Sequence, residues 1–323
     1  MSAFTLTRQL PADATARALR ADVVNGLTAE PKWLPPKWFY DARGSELFEE
    51  ITRLPEYYPT RAERAILARE AGAIAAVTGA RVLVELGSGS SEKTRLLIEA
   101  LRAGGTLTGY VPVDVSESAL EQAGRALIAD YPGLAVHALI ADFQAGLTLP
   151  PADGPRLVAF LGGTIGNLLP SERAEFLRRV HDALAPGDAL LLGTDLVKDE
   201  RTLVAAYDDA AGVTAAFNKN VLAVLDRELG ADLDPDAFEH VARWDAEHEW
   251  IEMRLRATAA FTAKIPALDL KVEFARGEEI RTEISAKFRE SGVRDELLAA
   301  GLEQRHWWTD AEHRFALSLA VRP

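Results

Sequence analysis

Residues 62–196 alternate short apolar runs with longer amphipathic stretches. The apolar runs predict buried strands at 81–86, 108–115, 135–142, 156–163 and 189–196. In the stretches that separate them, apolar residues recur at helical spacing, as Leu97 and Leu101 do. This alternation is typical of repeated βα units around a parallel sheet. We therefore predict an α/β fold with a Rossmann-like sheet.

The alternation of apolar runs and amphipathic stretches ends after residue 196. Two helical stretches, at about 199–211 and 213–229, lead into segments rich in Val, Ile, Thr and aromatic residues. These segments, 238–265 and 268–288, contain stretches of period two, which favour antiparallel strands. Residues 197–287 are therefore predicted to be an α+β insertion.

The two ends of the chain complete the predicted fold. A helix at 293–301 precedes two strands, 302–309 and 314–321, which we expect to add an antiparallel edge pair to the sheet. The first 61 residues contain too many Pro and aromatic residues for a βα unit, and we expect them to pack on the insertion. The predicted domains are 62–196 with 288–323, and 9–61 with 197–287.

Charge and composition narrow the classes of partner. The chain contains 36 Lys and Arg residues and 49 Asp and Glu residues. The resulting net charge of −13 would repel nucleic acid and anionic membrane lipid. A chain without Cys suits a reducing cytoplasm. No apolar run approaches the roughly 20 residues that span a bilayer. The six His residues include no helical i, i+4 pair, so we expect no metal site. We expect a cytoplasmic monomer that acts on a small molecule.

A small-residue turn follows the first predicted strand. Gly87, Ser88 and Gly89 allow a ligand to approach the backbone at the start of a helix. A nicotinamide dinucleotide favours a third Gly at the position of Glu92, whose charge would oppose a pyrophosphate. The turn therefore favours a ligand without phosphate.

Charged residues mark the ends of the strands. Lys93 lies in the first helical turn, where a cation opposes the helix dipole unless a carboxylate is near. Asp114 ends the second strand, where an acid accepts hydrogen bonds from ribose hydroxyls. Asp142 ends the third strand before Phe143, an arrangement suited to an adenine amino group and a stacking face. A solvated Lys and two helix-capping acids are the alternatives.

Candidates for a second ligand are fewer. Asn167 follows the fourth strand, at the sheet edge where α/β folds bind ligands, and its amide both donates and accepts. Its alternative role is to cap the helix near Ser171. Glu283 and Ser285 stand two apart on a predicted strand and so face the same side. By spacing alone, a solvated strand face explains them equally well.

Several motifs resemble a known family. The E-x-G-x-G motif at 85–89 and LAPGDALLL at 184–192 resemble class I methyltransferases that use S-adenosyl-L-methionine (SAM). More narrowly, the chain is similar to the histidine Nα-methyltransferase family of ergothioneine biosynthesis. This similarity rests on PPKWFYDARGSELFEEITRLPEYYPTRAE, VELGSGSSEKT, FLGGTIGNL and RTEISAKF, and it extends along nearly the whole chain.

The resemblance implies a fold and an activity. The fold is a Rossmann-like class I methyltransferase sheet that binds SAM through residues 62–196 and 288–323. The inserted α+β domain, 9–61 with 197–287, binds the substrate. The implied reaction is the trimethylation of the α-amino group of L-histidine to hercynine, in three successive transfers that each give S-adenosyl-L-homocysteine.

The resemblance also implies roles for single residues. Tyr57 and Asn167 are the expected catalytic residues. The substrate-binding residues are Tyr57, Asn167 and Tyr207 at the head group, Glu283 and Ser285 at the imidazole, Met253 in the pocket lining, and Phe48 beside the forming cation. The cofactor-binding residues are Tyr40, Gly87, Lys93, Asp114, Asp142 and Phe143.

Three other functions fit parts of the sequence. A related methyltransferase for another small amino acid would differ mainly at Glu283, Ser285 and Met253. A nicotinamide dehydrogenase is disfavoured by Glu92. A catalytically silent SAM-binding protein is disfavoured by Asn167 together with the two Tyr residues.

Overall fold

The computed structural model describes residues 4–11, 13–89, 93–142 and 146–323. The chain forms two compact units. The sheet unit consists of Met1–Pro11, Pro59–Val197 and Phe288–Pro323. The insertion unit consists of Ala12–Tyr58 and Lys198–Lys287.

The strands and helices are numbered along the chain. The strands are β1 Phe4–Arg8, β2 Lys32–Trp33, β3 Val82–Leu86, β4 Gly109–Asp114, β5 Ala135–Ile140, β6 Arg156–Phe160, β7 Ala189–Asp195, β8 Phe238–Asp245, β9 Trp250–Ala257, β10 Phe261–Ile265, β11 Leu270–Phe274, β12 Glu279–Ala286, β13 Glu303–Thr309 and β14 Phe315–Val321. The α-helices are α1 Ala14–Leu27, α2 Ala42–Ile51, α3 Pro59–Thr78, α4 Thr94–Ala103, α5 Glu117–Asp130, α6 Pro170–Ala183, α7 Glu200–Ala205, α8 Val213–Leu229 and α9 Glu290–Ala299.

The sheet unit is built on one sheet with the strand order β1-β5-β4-β3-β6-β7-β14-β13. The pairs from β1 to β7 are parallel, while β14 runs antiparallel to both β7 and β13. The strand order reverses direction between β3 and β6, and open α/β sheets bind ligands in the crevice at such a switch point. The predicted parallel sheet and its antiparallel edge pair are confirmed.

The end of the sheet next to β5 was not anticipated. The expectation that the first 61 residues pack on the insertion is wrong for β1, which pairs in parallel with β5. Phe4 and Leu6 of β1 pack against a small cluster of buried side chains that includes Leu120 and Ile140. Gly124 lets the Phe4 ring lie directly on helix α5, because a Cβ there would come within 2.2 Å of the ring. Five alternating residues at a chain end give too short a pattern to reveal this pairing.

The insertion unit contains a four-stranded sheet in the order β2-β12-β9-β8 and a separate hairpin of β10 and β11. Strand β12 is antiparallel to β9, and β9 is antiparallel to β8, so the predicted antiparallel sheet is confirmed. The buried side chains of this unit form one apolar core that includes Phe39, Phe217, Val221 and Leu255. In the described parts of the chain, no helix is long and apolar enough to cross a membrane.

Candidate active site

The turn after β3 lies at the switch point of the sheet. Gly87 and Gly89 have φ values of 68° and 47°, in the left-handed region that favours glycine. The Asp114 carboxylate, at the end of β4, accepts the amide hydrogen of Gly89 at 3.3 Å and that of Ser116 at 2.9 Å. Burial raises the pKa of the Asp114 carboxyl above its usual value. The sequence-predicted acid therefore borders the glycine turn.

Lys93, at the N-cap of α4, has a carboxylate partner within the protein. Its ammonium group pairs with Glu63 of α3, a fully buried side chain. The second oxygen of Glu63 accepts the amide hydrogen of Gly162, which follows β6, at 2.7 Å. The carboxylate expected near Lys93 is thus supplied by Glu63, and this ion pair links α3 to two loops at the sheet edge. A contact from Lys93 to the cofactor stays a prediction.

Glu85 precedes the glycine turn on β3. Its buried carboxylate accepts hydrogen bonds from the hydroxyl groups of Thr94 and Tyr110. Burial raises the pKa of Glu85 to about 7, although both hydrogen bonds favour the ionised form. Because Thr94 is the first residue of α4, Glu85 fixes the start of this helix relative to the turn.

The described residues of this edge fit SAM. The Ser88 hydroxyl is buried and has no hydrogen-bond partner among the described residues, so a polar group is left for a ligand. Acids at the ends of β4 and β5, Asp114 and Asp142, match a ligand rich in hydroxyl and amino donors. Phe143 and Glu92 lie outside the described residues.

Asn167 is the last residue of a short 3-10 helix, Thr164–Asn167, that follows β6. Its side chain is half-buried. Helix α6 has its N-cap at Leu169, whose amide donates to the Glu172 carboxylate at 2.7 Å. The alternative that Asn167 caps this helix is therefore wrong, and its side chain is available at the carboxyl edge of the sheet.

Four predicted site residues form a row of aromatic rings in the insertion unit. The ring centroids of Tyr40 and Phe48 are 5.6 Å apart, those of Phe48 and Tyr57 6.2 Å, and those of Tyr57 and Tyr207 6.4 Å. All three contacts are edge-on, a favoured geometry for aromatic pairs. Tyr40, predicted to bind the cofactor, thus lies with the predicted substrate residues rather than in the sheet unit.

One face of β12 continues this cluster. Ser285 Oγ lies 2.7 Å from the hydroxyl oxygen of Tyr207, and Lys287 Nζ donates to both oxygens, at 2.8 and 2.9 Å. Met253 on β9 pairs in register with Glu283, so its buried side chain shares their face of the sheet. The structure therefore brings together the predicted residues Tyr207, Met253, Glu283 and Ser285.

Glu283 is a buried carboxyl group that lacks a hydrogen-bond donor among the described residues. It is only 8% exposed. Burial raises its pKa to about 8, and the positive charge of Lys287 offsets only part of this effect. A buried polar group without a hydrogen-bond partner among the described residues is a candidate for ligand binding.

Two features of this unit are not among the predicted site residues. Lys287 is buried beside Ser285, and it continues the period-two series Glu283, Ser285, Lys287 by one step. His240 on β8 lies 2.8 Å from the backbone oxygen of Tyr207, and its other ring nitrogen lies 2.8 Å from the Asn218 amide nitrogen. Extending the periodicity would have revealed Lys287, whereas no sequence signal points to the His240 contacts.

The described residues contain no group of His, Cys, Asp and Glu side chains that could hold a metal ion. The strand order, the glycine turn after β3 and the acids at the ends of the next two strands together define a class I SAM-dependent methyltransferase. The sequence model of one protein family, the histidine-specific, SAM-dependent methyltransferases, matches residues 19–322. The chain belongs to this family.

Three related proteins are similar to this chain over most of its length. It is 59% identical to the histidine N-alpha-methyltransferase of Mycolicibacterium smegmatis, with 99% of each chain covered. It is 54% identical to the histidine N-alpha-methyltransferase of Mycobacterium tuberculosis, over 98% of this chain and 99% of the relative. It is also 32% identical to ergothioneine biosynthesis protein 1 of Neurospora crassa, over 86% of this chain and 32% of that protein.

Proposed function

We propose that this enzyme transfers three methyl groups from SAM to the α-nitrogen of L-histidine and so forms hercynine, the first step of ergothioneine biosynthesis. The family, and two relatives named histidine N-alpha-methyltransferase with identities of 59% and 54%, support histidine as the acceptor. The third relative, named for ergothioneine biosynthesis, supports the pathway. We place the enzyme in the cytoplasm, where a chain without Cys suits the reducing conditions.

The observation that carries this proposal is the buried acid of β12. Glu283 has no donor among the described residues, and the Ser285 hydroxyl lies on the same strand face. An imidazole ring carries two nitrogens on opposite sides, each able to make one hydrogen bond. We assign these two side chains to the imidazole of the substrate, with Met253 against the ring.

The remaining assignments concern the amine. Tyr57, Asn167 and Tyr207 are assigned to the amino-acid head group, with Phe48 beside Tyr57. A hydroxyl and an amide orient a neutral amine without stabilising its protonated form, as a carboxylate would. Since the pKa of a free α-amino group is about 8, modest desolvation supplies the neutral amine. Aromatic faces also stabilise the quaternary product.

The cofactor assignments follow from the edge of the sheet. SAM supplies an electrophilic methyl group. We assign its ribose to Asp114, its adenine to Asp142 and Phe143, and its amino-acid end to Gly87 and Lys93. We assign Tyr40 to the same cofactor. The protein accelerates the reaction chiefly by positioning, because a displacement at carbon needs aligned partners.

Product analysis tests the proposal. The protein is incubated with excess SAM and each of the 20 amino acids, and products are fragmented in a mass spectrometer. We expect L-histidine alone to gain three methyl groups, all on the α-nitrogen. Methylation of the imidazole would contradict the assigned orientation. Preferred methylation of another amino acid would support the alternative acceptor.

A further inference from the structure

Strand β12 contains one extra residue relative to its neighbour β9. Arg281 pairs with Arg254, but Glu283 pairs with Met253, so two steps along β12 correspond to one step along β9. Thr282 is the additional residue, and the register shift at this point is a β-bulge. Since side chains alternate between the two faces of a strand, one extra residue moves every following side chain to the opposite face.

The two halves of β12 show this change of face. Before the bulge, Glu279 pairs in register with Arg256, and their charged groups are 2.7 Å apart. After the bulge, Glu283 pairs with Met253, which belongs to the apolar core. Three positions separate Met253 from Arg256 on β9, so these two side chains lie on opposite faces. Without the extra residue, Glu283 and Ser285 would continue on the face of Glu279, among the ion pairs.

Two fully buried polar side chains contact the backbone at the bulge. The Thr282 hydroxyl donates to Asn218 Oδ1 at 2.5 Å and to the backbone oxygen of Met253 at 3.0 Å. Asn218, on α8, donates from Nδ2 to the backbone oxygen of Arg254 at 3.1 Å. Met253 and Arg254 are the two residues of β9 between which the register shifts. Thr282 and Asn218 thus bind the backbone of β9 where the bulge interrupts the ladder.

The Asn218 amide also supports a second part of the predicted pocket. Its Nδ2 atom lies 2.8 Å from His240 Nδ1, and His240 Nε2 lies 2.8 Å from the backbone oxygen of Tyr207. A carbonyl oxygen only accepts, so Nε2 carries the imidazole hydrogen. Nδ2 donates to both of its neighbours, and Nδ1 therefore accepts from it. This chain of hydrogen bonds connects the bulge to the backbone of the turn that carries Tyr207.

We propose that Thr282 and Asn218 are positioning residues for substrate specificity, because they hold the bulge that turns Glu283 and Ser285 toward the apolar core of the insertion unit. The inference rests on the proposed function, in which these two side chains bind the imidazole. It assigns the bulge a role in the recognition of the ring. Binding of SAM and the transfer of the methyl group do not depend on it.

Kinetics of Thr282→Val test this role, because Val has the shape of Thr but lacks the hydroxyl. We expect the KM for histidine to rise about 3-fold or more, since two buried oxygens lose their donor and the bulge can shift. The kcat and the KM for SAM should stay within roughly 2-fold of the wild type. A smaller fraction of folded enzyme would lower the apparent kcat and leave the KM for histidine unchanged.

Two control variants accompany Thr282→Val. Thr282→Ser keeps the hydroxyl and should retain a KM for histidine close to that of the wild type. Ser318→Ala removes another fully buried strand hydroxyl, on β14 in the sheet unit, and should leave this KM unchanged. The Val and Ser variants together separate the hydrogen bonds of Thr282 from its volume.

A double-mutant comparison shows whether Thr282 acts through the two side chains that follow it. In an enzyme that already carries Glu283→Ala and Ser285→Ala, Thr282→Val should change kcat/KM for histidine by less than about 2-fold, because the groups that the bulge positions are absent. An independent effect of Thr282 would lower kcat/KM by the same factor in both backgrounds.

The outcomes separate this inference from the proposed function. A wild-type enzyme that does not methylate histidine would refute the proposed function. An enzyme that methylates histidine, but whose folded Thr282→Val variant keeps the wild-type KM or loses activity equally in both backgrounds, would overturn the role of the bulge. Asn218→Leu removes the partner of the Thr282 hydroxyl and should raise the KM at least as much. It supplies the same comparison if Thr282→Val does not fold.

Discussion

At the scale of single residues, buried carboxyl groups carry the clearest consequences. Asp114 accepts two backbone amide hydrogens at the glycine turn, and its burial raises the pKa of its carboxyl group. Glu85 and Glu283 are less exposed than Asp114, with pKa values raised to about 7 and about 8. Acids in such surroundings are costly in the ligand-free protein, and this favours a role in ligand binding.

Asp114→Ala should weaken SAM binding by roughly 1–3 kcal/mol, because ribose hydroxyls would lose charge-assisted hydrogen bonds. Titration calorimetry of the folded variant measures this change. Asp199→Ala is the control, since Asp199 also accepts a backbone amide, that of Thr202, but lies in the insertion unit. Unchanged SAM affinity in Asp114→Ala would place the ribose at another residue.

Glu283→Ala should raise the KM for histidine by about 10-fold or more, because a ring nitrogen buried without its hydrogen-bond partner costs roughly 1–3 kcal/mol. SAM affinity should barely change, and amino acids with apolar aromatic side chains should become relatively better acceptors. Steady-state kinetics with several acceptors checks this. A steep loss of kcat for every acceptor, at an unaltered histidine KM, would instead assign Glu283 a role as general base.

Glu283 should also make the stability of the protein depend on pH. Its pKa rises from an ordinary value of 4.5 to about 8 on folding, so the folded state holds the proton more tightly. The resulting stabilisation is complete below about pH 4.5 and is lost as the pH rises to about 8. Glu283→Gln carries no such proton, so its Tm should rise relative to the Tm of the wild type as the pH increases across this range. Thermal unfolding at several pH values measures this difference.

The comparison isolates one group because Glu85, which titrates in the same direction, is present in both proteins. A gain of 1 kcal/mol corresponds to roughly 2–4 °C for a domain of 150–250 residues. A difference in Tm that stays constant between pH 5 and pH 8 would show that Glu283 is not buried in its protonated form.

At the scale of elements, the position of helix α2 depends on a close approach of other atoms to the backbone at Gly44. A Cβ on Gly44 would lie 1.7 Å from the backbone oxygen of Phe39 and 2.9 Å from the amide nitrogen of Asn220. Asn220, on α8, donates to that same backbone oxygen at 3.0 Å. The absence of a side chain at Gly44 thus lets α2, which carries Phe48, rest against α8.

Gly44→Ala should lower the free energy of unfolding by about 1–3 kcal/mol, because the methyl group has no room and the helix must shift. The KM for histidine should rise with it, since Phe48 moves with α2. Gly72→Ala is the control: Gly72 lies within α3, nothing lies within 4 Å of its added Cβ, and Ala favours a helix. Equal stability of the two variants in urea would contradict the close approach.

At the scale of the whole molecule, the predicted binding residues divide between the two units. The candidates at the glycine turn and at the ends of β4 and β5 belong to the sheet unit, and those on β9 and β12 belong to the insertion unit. Asn167 is the predicted substrate residue of the sheet unit, and Tyr40 is the predicted cofactor residue of the insertion unit.

Hydrogen exchange should show this division. S-adenosyl-L-homocysteine alone should slow amide exchange around Gly87 and Asp114, because bound ligand suppresses local opening. Hercynine, added next, should slow exchange in β12. The hairpin of β10 and β11 serves as an internal control that neither ligand protects. Protection of β12 by S-adenosyl-L-homocysteine, with the glycine turn unchanged, would reverse the assignment of the two units.

The sequence alone determined the parallel sheet, the insertion and the acids at the strand ends, because these follow from local periodicity and from the position of residues along a strand. The turn at Gly87 and the shared strand face of Glu283 and Ser285 are likewise determined by the local sequence. Their roles in binding were predicted from motifs that resemble a family. The residue pattern of a strand face is the same whether that face contacts solvent or a ligand.

Only the tertiary structure decided which distant residues meet. Glu63 reaches Lys93 from another helix, Tyr207 reaches Ser285 from the loop after α7, and β1 pairs with β5, whose paired residues lie 132 positions further along the chain. Spacing along the chain carries no information on such pairs. The burial that raises the pKa of Glu283 is likewise set by the packing around it. Periodicity gives the direction of a side chain, and only folding gives its neighbours.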